Sequence, residues 1–451
     1  MMKSSLFKGK NVCIVGLGKS GVASSVALVA EGARVFLTEK RPRREVSEWL
    51  SRLPKNVTVE TGGHRFLQRD WDMVILSPGV PRVLAASFER KGTPVWGEME
   101  LGYRILTRKN RWPERVAGVT GTNGKTTTTA LLGHIFKTAG APTVVAGNIG
   151  APLCGLLSRI RRDTALVLEI SSYQLETVDD FRVDVGIVMN VTPDHLGRHK
   201  TMRGYAEAKG RLFRHQDARS GAVLNYEDRW CRWIGKNHPR PLWFSSRRSL
   251  RNGFYFSGER IVSSWGGSRK TWPRPPYLPG LHNVENTLAA VACARFLGVP
   301  APSIGKAIRS FRGVEHRLED VRTLGGVRYI NDSKATNVDS TLVALKSMTR
   351  PVHLILGGED KGFPYTPLRP WLKKRAVQVF LIGDASRKIG RDLKGSVPII
   401  PCETLERAVH RAREQARPGE VVLLSPACAS FDQFKNFEHR GHRFKELVNA
   451  L

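Results

Sequence analysis

No stretch of this 451-residue chain approaches the roughly 20 consecutive apolar residues that span a bilayer, so membrane insertion is not expected. Met1 to Lys10 does not lead into the apolar core and cleavage site of a secretory leader; the apolar residues from Val12 are interrupted by glycines. Cysteine is scarce. The six, at positions 13, 154, 231, 293, 402 and 428, form no Cys-x-x-Cys pair, and buried free thiols in a reducing cytoplasm are the expectation. Acidic residues are few: 40 Asp and Glu face 72 Lys and Arg, for a net charge of +32. Such a charge attracts nucleic acid or anionic surfaces at low salt. Yet the basic residues are dispersed, with no block of five or six together. They read as a solvated surface, and nucleic acid is not expected as a partner. There is no low-complexity segment and no internal repeat below the scale of a domain. A chain this long suggests about three domains, and 41% hydrophobic residues are ample for their cores.

What is present centres on Gly118-Val-Thr-Gly121-Thr122-Asn123-Gly124-Lys125-Thr126-Thr127. A β-like run, Arg115 to Val119, leads in, and a helix-like run, Thr127 to Lys137, leads out. Strand, glycine-rich turn ending Gly-Lys-Thr, then helix is a phosphate-binding loop. Freed backbone N–H groups point at oxyanions, Lys125 adds a point charge, and the Thr126 hydroxyl is a ligand for Mg²⁺. The general pattern places its first glycine at position 119; here that residue is Val119, and the glycine stands one earlier.

Upstream, Asn11-Val-Cys-Ile-Val-Gly16-Leu-Gly18-Lys19-Ser20-Gly21 joins a buried-strand run to Gly-x-Gly-x-x-Gly and a helix, Val22 to Ala30. A second strand, Arg34 to Thr38, ends in Glu39, as in a dinucleotide fingerprint. Alone, the motif says that a phosphate approaches the first helix, not which nucleotide carries it. A third strand, Met73 to Leu76, ends in Ser77-Pro-Gly79, where Ser77 is either a turn former or a ligand contact. Residues 1–108 thus read as a Rossmann-like domain, with Thr107 to Pro113 as a linker.

In the central domain, residues 109–312, Thr164 to Glu169 is a strand that delivers an acid at its end, where a phosphate-loop protein places a Mg²⁺ ligand. Val183 to Met189 ends in Asn190-Val-Thr-Pro-Asp194-His195-Leu-Gly197-Arg198-His199, either a polar surface loop or a site. Lys209, on the helix Met202 to Leu212, is by its spacing an ordinary surface lysine. The aromatic, Gly- and Arg-rich stretch from Trp243 to Arg274 reads as short β pieces. Leu281-His282-Asn283-Val-Glu-Asn286 opens a helix with amides that suit capping or adenine and ribose contact equally. Residues 313–451 contain four strands ending in small and polar residues. They alternate with helices such as Leu405 to Gln415, which makes a second Rossmann-like parallel sheet with a site along its carboxyl edge. The fold class is therefore α/β in three domains: Rossmann-like, central P-loop ATPase-like, and Rossmann-like again. A phosphate loop serves a switch, a motor, a kinase or an ATP-driven ligase.

Seven stretches together resemble the Mur ligase family: Thr120 to Thr127, Glu169 to Glu176, Asn190 to His199, Leu281 to Asn286, Glu315 to Arg317, Asn331 to Asn337 and Gly357 to Lys361. Ser425 to Phe437 is similar to the branch of that family that adds D-glutamate. The resemblance runs from about Gly9 to Phe444. It implies a cytoplasmic, monomeric ligase of peptidoglycan precursor synthesis that uses ATP, two Mg²⁺ ions, UDP-N-acetylmuramoyl-L-alanine and D-glutamate. Under it the first glycine motif holds a UDP-sugar rather than NAD.

The resemblance further implies that Gly18, Lys19, Ser20, Lys40, Arg41, Ser77 and Gly79 bind the UDP portion, with Asn148 and His195 at the muramoyl-alanine end. Gly121, Thr122, Asn123, Gly124, Lys125, Thr126 and Thr127 hold the ATP phosphates, and Asn283, Asn286, Arg317, Asp332 and Lys334 contact the rest of the nucleotide. Thr126 and Glu169 ligate one Mg²⁺; His195 and Lys209, the latter as a CO₂-derived carbamate, ligate the second. Thr336, Lys361, Ser430 and Phe437 form the D-glutamate pocket. Lys125, Glu169, His195 and Lys209 carry the chemistry: phosphorylation of the alanyl carboxylate to an acyl phosphate, then attack by the D-glutamate amine through a tetrahedral intermediate. One position departs from the family pattern, since Gly197 stands where a second acid is common.

Overall fold

The computed structural model describes residues 6–236, 238–278, 280–360 and 362–451. These form two compact units, the described residues up to 276 with 284–311, and those of 277–283 with 312–451.

The first unit holds two sheets. One comprises β1 (Asn11–Val15), β2 (Arg34–Glu39), β3 (Thr58–Thr61), β4 (Met73–Leu76) and β5 (Val95–Gly97), in the order β3-β2-β1-β4-β5. All neighbours are parallel. Val12 to Val15 and Met73 to Leu76 are buried throughout, as strands covered on both faces must be. The order reverses at β1, so the loops after β1 and β4 lie side by side at the carboxyl edge. The Ser77 hydroxyl seals them by donating to the Gly16 carbonyl at 2.9 Å. The helix after β1 begins at Lys19 rather than Val22. Thr107 and Arg108, expected in a linker, instead finish the helix Glu98–Arg108.

The second sheet comprises β6 (Arg115–Thr120), β7 (Thr143–Gly147), β8 (Ala165–Glu169), β9 (Val185–Val188), β10 (Gly221–Asn225), β11 (Pro241–Ser245), β12 (Phe254–Ser257), β13 (Arg260–Ser263) and β14 (Lys270–Pro273). Its order is β14-β13-β12-β11-β10-β9-β6-β8-β7. β6 lies between β8 and β9 and parallel to both, so the loops after these three strands meet at one edge. The Arg-rich stretch after Trp243 forms the antiparallel end, β12 to β14. The two sheets of this unit are joined at the helix Glu98–Arg108. Glu100 accepts backbone N–H bonds from Asp179 (2.8 Å) and Phe181 (2.9 Å), and Gly97 N donates to Thr177 O at 2.9 Å.

The second unit holds β15 (Glu319–Leu324), β16 (Val327–Asn331), β17 (Val352–Gly357), β18 (Ala376–Ile382), β19 (Ile399–Glu403) and β20 (Val421–Leu424), ordered β15-β16-β20-β17-β18-β19. β15 runs antiparallel to β16; the other pairs are parallel. The last strand in sequence inserts between β16 and β17, which makes the loops after β16, β17 and β20 the switch point of this sheet. Buried Leu354, Leu356, Leu381 and Leu423 are part of the core on one face, and Ile355, Phe380, Val422 and Phe444 of that on the other.

Candidate active site

The phosphate loop is shorter than its motif suggests. β6 runs through Thr120, and Gly118 is a strand residue: a Cβ there would lie 2.9 Å from Leu212 Cδ1 and 3.2 Å from Val183 Cγ1. Gly118 is therefore a packing glycine and not a displaced first residue of the loop. The turn is Gly121 to Gly124. Gly124 has φ 86°, and a Cβ on it would meet Asn286 Oδ1 at 2.4 Å. The helix Lys125–Thr138 starts at once, with Thr126 and Thr127 buried in its first turn. Lys125 Nζ curls over the loop and donates to the carbonyls of Gly121 (2.8 Å) and Thr122 (2.7 Å). Asn190 braces the loop from β9: its Oδ1 accepts from Asn123 N at 2.9 Å, and its carbonyl accepts from Thr122 N at 2.9 Å. Asn190 stands in the quoted motif, but its spacing gives no sign of this bracing role.

Glu169 ends β8 next to this turn and is 2% exposed. Its Oε1 accepts from Asn148 Nδ2 at 2.8 Å, while Oε2 is buried and without a partner among the described residues. A buried carboxylate oxygen with no partner is costly unless a ligand completes it. Thr126 is likewise buried, in the helix that follows the neighbouring strand β6, and its hydroxyl and this carboxylate offer the oxygens that Mg²⁺ prefers. The residues present therefore fit that ion.

His195 follows β9 in a left-handed conformation, φ 54°. Its Nδ1 lies 2.9 Å from the Tyr173 hydroxyl, and its backbone N–H is capped by Asp194 Oδ1 at 2.8 Å. Tyr205 links His195 to the loop: ring centroids are 6.2 Å apart, and the Tyr205 hydroxyl lies 3.4 Å from Thr122 Oγ1. Lys209 Nζ sits 4.3 Å over the Tyr205 ring. Lys209 is no surface lysine; it is 1% exposed, and burial first, then the neighbouring Lys125 charge, push its ammonium well below the usual lysine range. Both effects favour the uncharged amine over the ammonium at this position. Arg198 carries no signal of its own in the sequence. It grips Glu176 with Nη2 at 2.6 Å and donates to Val80 O at 3.0 Å, so it ties the His195 loop to the Ser77–Val80 turn.

At the edge of the first sheet, Gly18 caps the helix that begins Lys19-Ser20, and a Cβ on Gly21 would lie 2.2 Å from the Gly16 carbonyl. The acid of the fingerprint is already committed. Glu39 Oε2 accepts from Leu17 N at 2.7 Å, and Oε1 accepts from Arg41 N at 2.9 Å and Nε at 3.0 Å. Burial opposes its ionisation, but these bonds hold the carboxyl below its ordinary value. Glu39 therefore organises Arg41 rather than presenting a free carboxylate to a ribose. Lys40 is exposed.

In the second unit, Asp332 is 4% exposed and accepts from Ser425 Oγ at 2.8 Å and Leu318 N at 3.2 Å. Burial pushes its carboxyl up to about 7, against the Arg317 charge. Asn283 belongs to this unit, and Asn286, one helical turn on, to the first. Lys334 Nζ lies 4.6 Å over the ring of Phe437, which opens the helix Phe437–Asn449. Ser430 is buried after β20. Thr336 follows β16, and Lys361 lies outside the described residues.

Two family models and a series of known proteins match this chain. The model of the Mur ligase middle domain matches residues 119–294, and that of the Mur ligase glutamate ligase domain matches residues 316–428. The chain is 45% identical to the UDP-N-acetylmuramoylalanine–D-glutamate ligase of Koribacter versatilis, over 98% of each chain. It is 44% identical to the enzyme of that name from Acidobacterium capsulatum, over 98% of this chain and 97% of the relative. The fold matches the MurF ligase of Thermotoga maritima in complex with ADP, with a TM-score of 0.62 at 16% identity, covering 100% of this chain and 98% of that one.

Proposed function

Because this chain belongs to the Mur ligase family, we propose that it joins D-glutamate to UDP-N-acetylmuramoyl-L-alanine at the expense of ATP, in the cytoplasmic assembly of peptidoglycan precursors. The observation that carries the chemistry is Lys209, a fully buried lysine beside the phosphate loop whose surroundings disfavour the ammonium form. Such an amine adds CO₂ to become a carbamate, whose anionic oxygen suits a hard cation where an ammonium would repel it. Thr126 and Glu169 would hold one Mg²⁺, and His195 with the Lys209 carbamate a second. When bound, such ions would supply charge neutralisation for phosphoryl transfer.

A carboxylate is a poor electrophile at neutral pH. The backbone N–H groups of Gly121 to Thr127 and the Lys125 ammonium cradle the phosphates and stabilise the charge that builds as the γ-phosphoryl group passes to the alanyl carboxylate. The acyl phosphate has a good leaving group, and the amine of D-glutamate displaces it through a tetrahedral intermediate. Gly18, Lys19, Ser20, Lys40, Arg41, Ser77 and Gly79 hold the UDP portion, on a helix N-terminus that favours diphosphate. Asn148 and His195 orient the alanyl end. Asn283, Asn286, Arg317, Asp332 and Lys334 serve the nucleotide, and Thr336, Lys361, Ser430 and Phe437 the amino acid. The deciding experiment is phosphate release from ATP with UDP-N-acetylmuramoyl-L-alanine and, in turn, D-glutamate, L-lysine, meso-diaminopimelate and D-alanyl-D-alanine. Stimulation by D-glutamate alone is expected; stimulation by any other of these, or by none, rejects the reading.

A further inference from the structure

The largest fully buried side chain of the described residues is a cation. Arg440, on the helix Phe437–Asn449, is 0% exposed. No carboxylate pairs with it among the described residues. Its donors go to neutral oxygens: Nε to Ser333 Oγ (3.0 Å), Nη2 to Ser333 O (3.0 Å) and Cys428 O (3.2 Å), and Nη1 to Ala429 O (3.2 Å). Burial lowers it to about 10, which leaves it cationic at neutral pH. A desolvated guanidinium with no carboxylate in direct contact, and only the Asp432 charge nearby to favour it, is a poor source of stability, since apolar replacements of buried charges are often neutral or better. What it offers is geometry. Its planar fork fixes the distance and angle between the groups it binds, which a flexible ammonium cannot do.

Those groups belong to the loops after β16 and β20. The loop after β17 closes against them: Gly358 has φ 136°, and a Cβ on it would lie 2.2 Å from Ala429 O and 3.1 Å from Arg440 Nη1. Ser333 Oγ in turn donates to Phe437 O at 2.8 Å. Arg440 is thus the brace of the switch point. The adjoining Gly441 belongs to the same arrangement, since a Cβ there would lie 2.3 Å from His316 Nδ1. His316, Glu315 and His442 bring ligand-type atoms within 4.8 Å of one another, but this is not a metal site. Asn331 Oδ1 accepts from Ser333 N, so its Nδ2 is the atom that faces His316 Nδ1, at 2.9 Å. His316 Nε2 then carries the proton and has no lone pair for a metal.

We propose that Arg440 is a positioning residue for the amino-acid substrate, setting the loop that carries Thr336 against the loop that carries Ser430 and the helix start at Phe437. This rests on the assignment of those three residues to the D-glutamate pocket. The test uses full-length Arg440→Lys and Arg440→Gln, checked for parental thermal melting. It reads the KM for D-glutamate and the Kd for UDP-N-acetylmuramoyl-L-alanine. In both variants the D-glutamate KM rises at least about tenfold, while the Kd stays within about twofold. A D-glutamate KM within about twofold of the parent's, or an equal loss in both constants, overturns the role. If neither variant folds, Ser333→Ala decides. It removes the Oγ that joins Arg440 to Phe437, and a rise of at least about threefold in the D-glutamate KM alone is expected; an unchanged KM overturns the role. Thr336→Val separates the two layers of inference. A raised KM there but not in the Arg440 variants sinks the positioning role by itself, whereas an unchanged KM in all of them sinks the pocket assignment.

Discussion

The Tyr173 hydroxyl lies 2.9 Å from His195 Nδ1. The bond joins the short helix after β8 to the loop after β9, and it leaves Nε2 as the atom of His195 turned to Asp194 and the site. Partners of this kind orient the ring of a metal-binding histidine. Tyr173→Phe keeps the ring and loses the bond. The Mg²⁺ concentration for half-maximal ADP formation should rise about tenfold or more. An unchanged Mg²⁺ titration would show that the loop holds His195 without help.

Lys209→Ala should be inactive and regain part of its activity in millimolar acetate or formate, which supply the missing carboxylate oxygen. Removal of bicarbonate should slow the parent enzyme in the same assay. Full activity in Lys209→Ala would dismiss the carbamate. Lys125→Ala should lower turnover by about 100-fold or more while binding of the UDP-linked substrate, followed by calorimetry, is kept.

Glu98 is 1% exposed, with Oε2 unpartnered among the described residues and Oε1 accepting from Cys154 N. Burial pushes it up from 4.5 to about 7. An acid raised in the folded state binds more protons there than in the unfolded chain. Stability therefore falls as pH rises from 4.5 and levels off above about 7. Glu98→Gln lacks this loss. The stability difference between parent and variant should shift in the variant's favour by up to about 3 kcal/mol between pH 4.5 and pH 8, read from urea unfolding at each pH. A constant difference across that range would refute the buried titration.

Gly197 replaces an acid common in the family, yet a Cβ at this position meets nothing within 4 Å. Its φ is not in the left-handed region that favours glycine. Gly197→Asp should fold with stability within about 0.5 kcal/mol of the parent and retain activity. A loss of thermal stability beyond that would mean that the loop needs its glycine.

Local order along the chain determined a great deal. Strand, Gly-Thr-Asn-Gly-Lys-Thr and helix are contiguous, so the phosphate loop and the cation at its helix start were legible in one dimension. Apolar runs ending in small or polar residues likewise announced parallel sheets with their sites at the carboxyl edge, because burial on both faces leaves no other composition for such strands. The family's motifs then supplied the candidate site residues. Tertiary structure decided what each group has left to offer. Gly118 looked like a loop glycine until Leu212 was found packed on it. Glu39 stood as the acid of a dinucleotide-like fingerprint, but Arg41 and Leu17 N–H occupy its oxygens. Lys209 looked like a surface lysine, and only burial near a second lysine turns its balance away from the ammonium form. Arg440 bonds Ser333 from 107 positions away. Spacing reports which groups the chain carries; desolvation and partnering depend on residues distant in sequence, and those set charge, tautomer and reach.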